Sequence, residues 1–256
     1  MLPRVDYTFG MSPIEGRETV RNVPGITSFT LKIIAIIGMT CNHLAWILSD
    51  ALPFALLCTL EGAGGLTFPI MAFLLAEGWR HTSDIWKYEL RLAVFALISQ
   101  VPYSLFLGAQ GNVLITLLLG LILLHLRTAM GNRAAWWVAV VAVTVVSGAC
   151  DWGIVGVIMI LVAALAPTKR QQALLSAALP MAGFGIPSLI EVAAGGIGAL
   201  PALLYAIGNG IAGLLLCAYS GKRGRPLKWF FYAYYPAHIA VLGAAHLILH
   251  GAGLLP

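Results

Sequence analysis

Residues 29–49 read FTLKIIAIIGMTCNHLAWILS, a run in which most residues are apolar. A helix of about 20 such residues spans the ~30 Å hydrocarbon layer of a bilayer. Comparable runs follow near residues 62–79, 90–108, 112–128, 134–149, 152–166, 172–190, 197–219 and 229–250. The sequence therefore predicts an all-α fold, a polytopic bundle of about nine transmembrane helices.

Composition agrees with a membrane protein. The 256 residues are 60% hydrophobic and 10% charged, whereas soluble domains are roughly 25% charged. The net charge of +5 does not indicate a nucleic-acid partner, because the chain has no basic soluble domain to hold one. Residues 1–27 mix charge, proline and glycine and are predicted to form a cytoplasmic tail. Residues 28–256 are predicted to form a single transmembrane domain.

The charges also predict an orientation. Lys and Arg precede the first span and recur between spans two and three, four and five, six and seven, and eight and nine. The opposite loops carry Asp50, Glu61, Asp151 and Glu191. The positive-inside rule then places the amino terminus in the cytoplasm and the carboxyl terminus outside. Pro53 and the glycine-rich residues 61–65 predict a broken or re-entrant start to the second span.

Placing a polar side chain inside a transmembrane span costs free energy, so such residues are candidates for function. His43, next to Asn42 in the outer half of span one, is either a buried histidine bonded to a backbone carbonyl or a general base. Asp151 stands at the start of span six, where it would cap the helix, orient a histidine, or do both. His238 follows Pro236 by two residues and either packs between helices or faces a cavity.

A basic cluster lies at the predicted cytoplasmic end of span two. Glu77 is followed by Arg80, His81, Lys87 and Arg91. A positive-inside loop explains these residues, and a phosphate-binding patch is the functional alternative.

Six strings together resemble the TraX family, in that family's order, from about residue 30 to residue 245. They are LKIIAIIGMTCNHLAWIL, GLTFPIMAFLLAEGWRHT, YELRLAVFALISQVPYSL, NVLITLLLGL, CDWGIVGVIMIL and FFYAYYPAHIAVLG. The resemblance implies an acetyltransferase of the bacterial inner membrane that modifies the amino terminus of a conjugative pilin. It also implies a distant likeness to transmembrane acyltransferases of the heparan-glucosaminide acetyltransferase type, which use cytoplasmic acetyl-CoA.

On this hypothesis His43 is the catalytic residue, as a general base or as the acetylated nucleophile. The family commonly has Asp-His where this chain has Asn42-His43, so either Asp151 orients the imidazole, or Asn42 does so through its carbonyl oxygen, or the site is tuned differently. The remaining predicted site residues fall into two groups. Acetyl-CoA would bind Lys32, Glu77, Arg80, His81 and Arg91; the substrate cavity would include Asn112 as an oxyanion donor, Tyr235 and His238.

No metal is predicted, because the histidines lack metal-binding spacing. The expected partners are membrane lipid and an amine acceptor, most directly a pilin-like peptide, with another peptide or a sugar left open. Two other classes of protein fit the same pattern. A transporter or flippase would also have polar residues at mid-span, although no internal repeat is seen; a non-enzymatic scaffold of a conjugation machine would need more loop surface than the chain has.

Overall fold

The computed structural model describes residues 25–254, so the predicted tail at residues 1–27 lies almost entirely outside the described residues. The described chain is helical, and backbone pairing outside the helices is limited there to two isolated bridges. The helices are α1 (Ser28–Ile47), α2 (Phe54–Gly64), α3 (Thr67–His81), α4 (Ile85–Phe106), α5 (Val113–Ala129), α6 (Arg133–Ser147), α7 (Gly153–Leu165), α8 (Lys169–Pro180), α9 (Ile186–Ala193), α10 (Leu200–Cys217) and α11 (Lys228–Gly251).

These helices follow the predicted hydrophobic runs. Helix α3 lies in the second run and is preceded by α2, and α8 continues through a π-helical turn, Met181–Gly185, into α9. Four helical segments are long and apolar enough to cross a membrane: Ser28–Ile47, Phe54–His81, Lys169–Ala193 and Ile197–Cys217. Helices α5, α6 and α7 are apolar but shorter. The all-helical membrane fold is thus supported, while the count of nine spans and the orientation stay predictions.

The predicted start of the second span, residue 62, is wrong. Helix α2 begins at Phe54, directly after Pro53, because the apolar segment FALLCTL contains no helix breaker. The prediction gave too much weight to the glycines that follow. They do interrupt the helix, as predicted, since α2 ends at Gly64 and α3 begins at Thr67. Glu61, predicted to lie in a loop, is therefore inside a helix.

The interruption between α2 and α3 packs almost backbone to backbone against its neighbours. A Cβ added to Gly65 would overlap the carbonyl oxygen of Tyr205 in α10, and one added to Gly208 would overlap that of Gly62. On the other side, a Cβ on Gly64 would lie 2.7 Å from the Cβ of Asn42 in α1. Absence of side chains at these points lets α1, α2 and α10 meet at the level of Asn42 and Glu61.

Two hydrophobic cores flank the centre of the bundle, and α3 contributes to both. Phe68 and Leu75 belong to a core with α4, α5, α7 and α11, whereas Ile70 and Phe73 belong to a core with α1, α8 and α10. Large apolar side chains such as Trp46, Leu97 and Val138 remain exposed on the outside of the bundle. Such a surface is suited to lipid contact.

The glycine contacts generate a stability prediction. Gly65→Ala should lower the melting temperature of the detergent-solubilised protein, because the new methyl group meets a backbone carbonyl that cannot rotate away, and overpacking typically costs about 1–3 kcal/mol. Gly62→Ala is the matched control, since its methyl group would lie at an ordinary 3.6 Å from the Cβ of Leu204. Equal melting temperatures for the two variants would contradict the close packing described above.

Candidate functional site

A cavity of about 610 Å³ runs into the bundle between α1, α3, α5 and α11. Its mouth, here called the cationic mouth, is lined by basic residues: Lys32, His81, Arg91, Arg223, Arg225 and Lys228. Its deep end is lined by Asn42, His43, Asp151 and Tyr235. One continuous space therefore connects a cluster of positive charges with the polar residues that the sequence placed inside the spans.

His43 and His238 form a hydrogen-bonded pair at the deep end. His43 is 7% exposed, and its Nδ1 lies 2.7 Å from Nε2 of His238. The other ring nitrogen of His238, Nδ1, lies 2.8 Å from the backbone carbonyl oxygen of Tyr234. The prediction that a buried histidine bonds a backbone carbonyl thus describes His238, and His238 in turn is the partner of His43.

This chain of contacts determines where the protons are. The Tyr234 carbonyl can only accept, so Nδ1 of His238 must donate. In a neutral His238 the remaining nitrogen, Nε2, then accepts from Nδ1 of His43. Nε2 of His43 is left with a free lone pair in a residue that lines the cavity. That arrangement suits a general base or a nucleophile.

The two predicted orienting residues have other partners. The Asn42 amide donates to Glu61 Oε2 at 2.9 Å, and the Asp151 carboxylate interacts with the Trp152 backbone and the Tyr103 hydroxyl. The hydrogen-bond partner of His43 is instead His238, because α11 packs against α1. The Asn42–Glu61 contact was not predicted from the sequence, although Glu61 stands in the glycine-rich segment; Glu61 itself does not line the cavity.

Asp151 is not the cap of its helix. The N-cap of α7 is Trp152, which makes no side-chain cap hydrogen bond. The Asp151 backbone is instead tied to the start of α5: its N–H donates to Gly111 at 2.6 Å, and its carbonyl accepts from Thr116. Trp152 takes a left-handed conformation, with φ of 63°, and stacks on Phe68. This turn leaves the carboxylate of Asp151 facing the cavity.

Asn112 is not available as an oxyanion donor. Its side chain is fully buried and caps α5, with Oδ1 accepting from Leu114 N–H at 3.0 Å. Its Nδ2 donates to the Ala96 carbonyl and to Gln100, both at 2.8 Å. Neither donor proton remains for a ligand, and Asn112 does not line the cavity. A polar residue directly before an apolar run is typical of a helix N-cap, which is the role that Asn112 has in α5.

At the cationic mouth, four of the five predicted residues line the cavity, namely Lys32, Glu77, His81 and Arg91. Arg80 does not. Its guanidinium donates to Glu77 at 2.6 Å and to the carbonyl oxygens of Ala163 and Ala164, so it ties α3 to the end of α7.

The mouth also includes Arg223, Arg225 and Lys228, which the sequence placed only in a basic loop. That loop folds back over α1, where the Ser28 hydroxyl and Phe29 N–H donate to the Arg223 carbonyl.

The proton arrangement in the histidine pair can be measured. In protein labelled with ¹⁵N-histidine, NMR should show His43 and His238 as Nδ1–H tautomers, whereas exposed His250 should favour the Nε2–H form of free imidazole. His43→Gln and His238→Gln assign the two signals. A proton on Nε2 of His43 would contradict the arrangement, since that nitrogen would then have no lone pair to offer.

Comparison with known proteins agrees with the resemblance seen in the sequence. A family model described as "TraX protein" matches residues 28–246. The chain is also 32% identical, over 250 residues, to a protein of Dichelobacter nodosus named as a probable fimbrial assembly protein FimC, serogroup H1. The alignment covers 90% of this chain and 99% of that protein. No solved structure matches. Because the family model covers most of the chain, the protein described here belongs to the TraX family.

Proposed function

We propose that this protein is a membrane-embedded N-acetyltransferase. It takes the acetyl group of acetyl-CoA from the cytoplasm and transfers it to an amine at the outer side, most directly the amino-terminal amine of a pilin. The main observation that supports the proposal is that one continuous cavity extends from the cationic mouth to His43. The proposed location is the bacterial inner membrane, with the cationic mouth in the cytoplasm, in accordance with the charge distribution of the loops.

The cationic mouth suits the phosphates of the donor. Arginine and lysine side chains make strong, charge-assisted hydrogen bonds to phosphate oxygens. Lys32 and His43 are both on α1, eleven positions apart, which corresponds to ~16 Å along the helix. An extended pantetheine arm covers such a distance, so a donor held by its phosphates at the mouth would present its thioester to His43.

His43 would act as the general base. The amine nitrogen attacks the thioester carbon and passes a proton to Nε2 of His43; the C–N bond forms, the C–S bond breaks, and the thiolate leaves as thiol with that proton. His238 stabilises the protonated imidazole by accepting from its Nδ1–H, as the Asp does in a Ser-His-Asp arrangement. Acetylation of His43 itself is the alternative, and the same lone pair would serve it.

The acceptor is proposed from the comparisons and from chemistry. The Dichelobacter nodosus relative is named as a fimbrial assembly protein, and fimbriae are built from pilins. Asp151 lines the deep end of the cavity, and a carboxylate there suits an acceptor that arrives as an ammonium ion and loses one proton before its nitrogen attacks.

The first test is transfer from radiolabelled acetyl-CoA by purified, reconstituted protein to a pilin-like peptide with a free amino terminus. His43→Ala should lower the rate by about 10²–10⁴-fold, the usual contribution of a general base. His250→Ala is the control, because that side chain is exposed. Folded wild-type protein that neither binds acetyl-CoA nor transfers label would contradict the proposal and favour a transporter or a scaffold.

The second test concerns the cationic mouth. The double variant Arg223→Ala/Arg225→Ala should raise KM for acetyl-CoA at least about tenfold, since even one charge-assisted hydrogen bond contributes about 1.5–3 kcal/mol and about 1.4 kcal/mol corresponds to a factor of ten. The effect should shrink at high salt. It should vanish with acetyl-pantetheine, which lacks the nucleotide phosphates.

Arg133→Ala/Arg170→Ala is the charge-matched control for this test, because both arginines are exposed and outside the cavity lining. An equal change in KM for the two donors would show that the mouth does not bind the phosphates.

A further inference from the structure

Tyr235 stands out among the residues at the deep end of the cavity. Its side chain is 2% exposed and lines the cavity. Its ring centre lies 5.9 Å from that of His43 and 5.7 Å from that of His238, so the phenol borders the histidine pair. The mechanism proposed above gives this side chain no role.

The hydroxyl of Tyr235 has no hydrogen-bond partner among residues 25–254. The nearest backbone donor is the N–H of Val113, the first residue of α5, which faces the phenol oxygen. Because this N–H approaches the oxygen as a donor, the proton of the Tyr235 hydroxyl is left without an acceptor. Buried hydroxyl groups are nearly always hydrogen-bonded, and each exception calls for an explanation such as a ligand.

The other phenols near the site do not share this property. Tyr234 bonds Thr40 at 2.7 Å, and since the Thr40 hydroxyl donates to the Ile36 carbonyl, Tyr234 is the donor. Tyr103 accepts from Gln110 at 3.0 Å and interacts with Asp151. Among the described residues, Tyr235 is the one tyrosine whose hydroxyl is fully buried without a hydrogen-bond partner, and its side chain lines the cavity beside His43.

We infer that Tyr235 is the oxyanion donor of the acyl transfer, a catalytic residue that binds the carbonyl oxygen of the donor thioester. This inference rests on the proposed function. As the amine nitrogen bonds to the thioester carbon and His43 takes the amine proton, the carbonyl oxygen becomes negative. The Tyr235 O–H donates to that oxygen and keeps its own proton. When the C–S bond breaks, the carbonyl re-forms and the proton on His43 moves to the sulfur.

The start of α5 adds to this stabilisation. Val113 lines the cavity, and its N–H lies at the amino terminus of α5, where backbone N–H groups carry partial positive charge. The N–H of Val113 also polarises the Tyr235 hydroxyl, which makes its proton a better donor. Preorganised donors of this kind need no rearrangement when the negative charge develops.

The decisive variant is Tyr235→Phe, which removes only the hydroxyl. Because the hydroxyl proton has no partner in the structure, the melting temperature should change little, whereas kcat should fall about 10²–10³-fold with KM for acetyl-CoA unchanged. Tyr234→Phe is the matched control for stability, since it removes a hydrogen bond that is made and should lower the melting temperature. A kcat within about threefold of wild type for Tyr235→Phe would overturn the inference.

A second variant keeps the hydroxyl and changes its acidity. Replacement of Tyr235 by 3,5-difluorotyrosine should preserve transfer at neutral pH, and the alkaline loss of kcat should begin at lower pH because the fluorinated phenol ionises sooner. An alkaline limb that does not move would also overturn the inference. The outcomes separate the two proposals: inactive wild-type protein defeats acyl transfer altogether, whereas active wild type, inactive His43→Ala and active Tyr235→Phe defeat only the role of Tyr235.

Discussion

The hydrogen bond between His43 and His238 is the interaction around which the rest of the site is arranged. Burying one imidazole in an apolar bundle is costly, and burying two is tolerable only if each satisfies the other. The pair joins the first long helix to the last, because His43 is in α1 and His238 is in α11. The pair ends on the Tyr234 backbone carbonyl in α11, which can only accept a hydrogen bond. With both rings neutral, this acceptor places the proton of each imidazole on Nδ1.

On the other side of α1, glycines allow the neighbouring helices to approach closely. The interruption between α2 and α3 approaches α1 and α10 so closely that side chains are excluded at Gly64, Gly65 and Gly208. This close approach brings the Glu61 carboxylate to the Asn42 amide. Helix α1 therefore carries two neighbouring residues with separate partners, Asn42 bonded toward α2 and His43 toward α11. Because the Asn42 amide is bonded to Glu61, it does not compete for the hydrogen bonds of the neighbouring His43 imidazole.

Much of this could be predicted from the sequence, for reasons that are local. Hydrophobic runs give the helices, and the cost of polar groups in a membrane identifies His43, Asp151 and His238 as exceptional. Which exceptional residue meets which is not local. The spacing along the chain could not show that α11 lies beside α1, and so Asn42 or Asp151 was predicted as the partner of His43, whereas the structure pairs it with His238.

The remaining differences between the predicted and the observed contacts also arise because tertiary contacts cannot be inferred from local sequence. Asp151 looked like a cap because caps are recognised one helix at a time, whereas its backbone is held by α5. Arg80 looked like part of the mouth because its neighbours are, although its guanidinium is taken up by the end of α7. Arg223 and Arg225 looked like ordinary loop residues because the return of their loop onto Ser28 is a tertiary contact.

The shortness of helix α6 has a consequence for the surrounding lipid. With 15 residues it covers ~22 Å, less than the ~30 Å of an average hydrocarbon core, and its outward side chains, among them Val138, Val141 and Val145, are exposed and apolar. If α6 crosses the membrane, as the sequence predicts, the acyl chains beside it must shorten to match it, and the bilayer would be thinner around the protein. A thinned bilayer would bring the aqueous phases on its two sides closer together, and membranes of greater thickness would oppose that deformation.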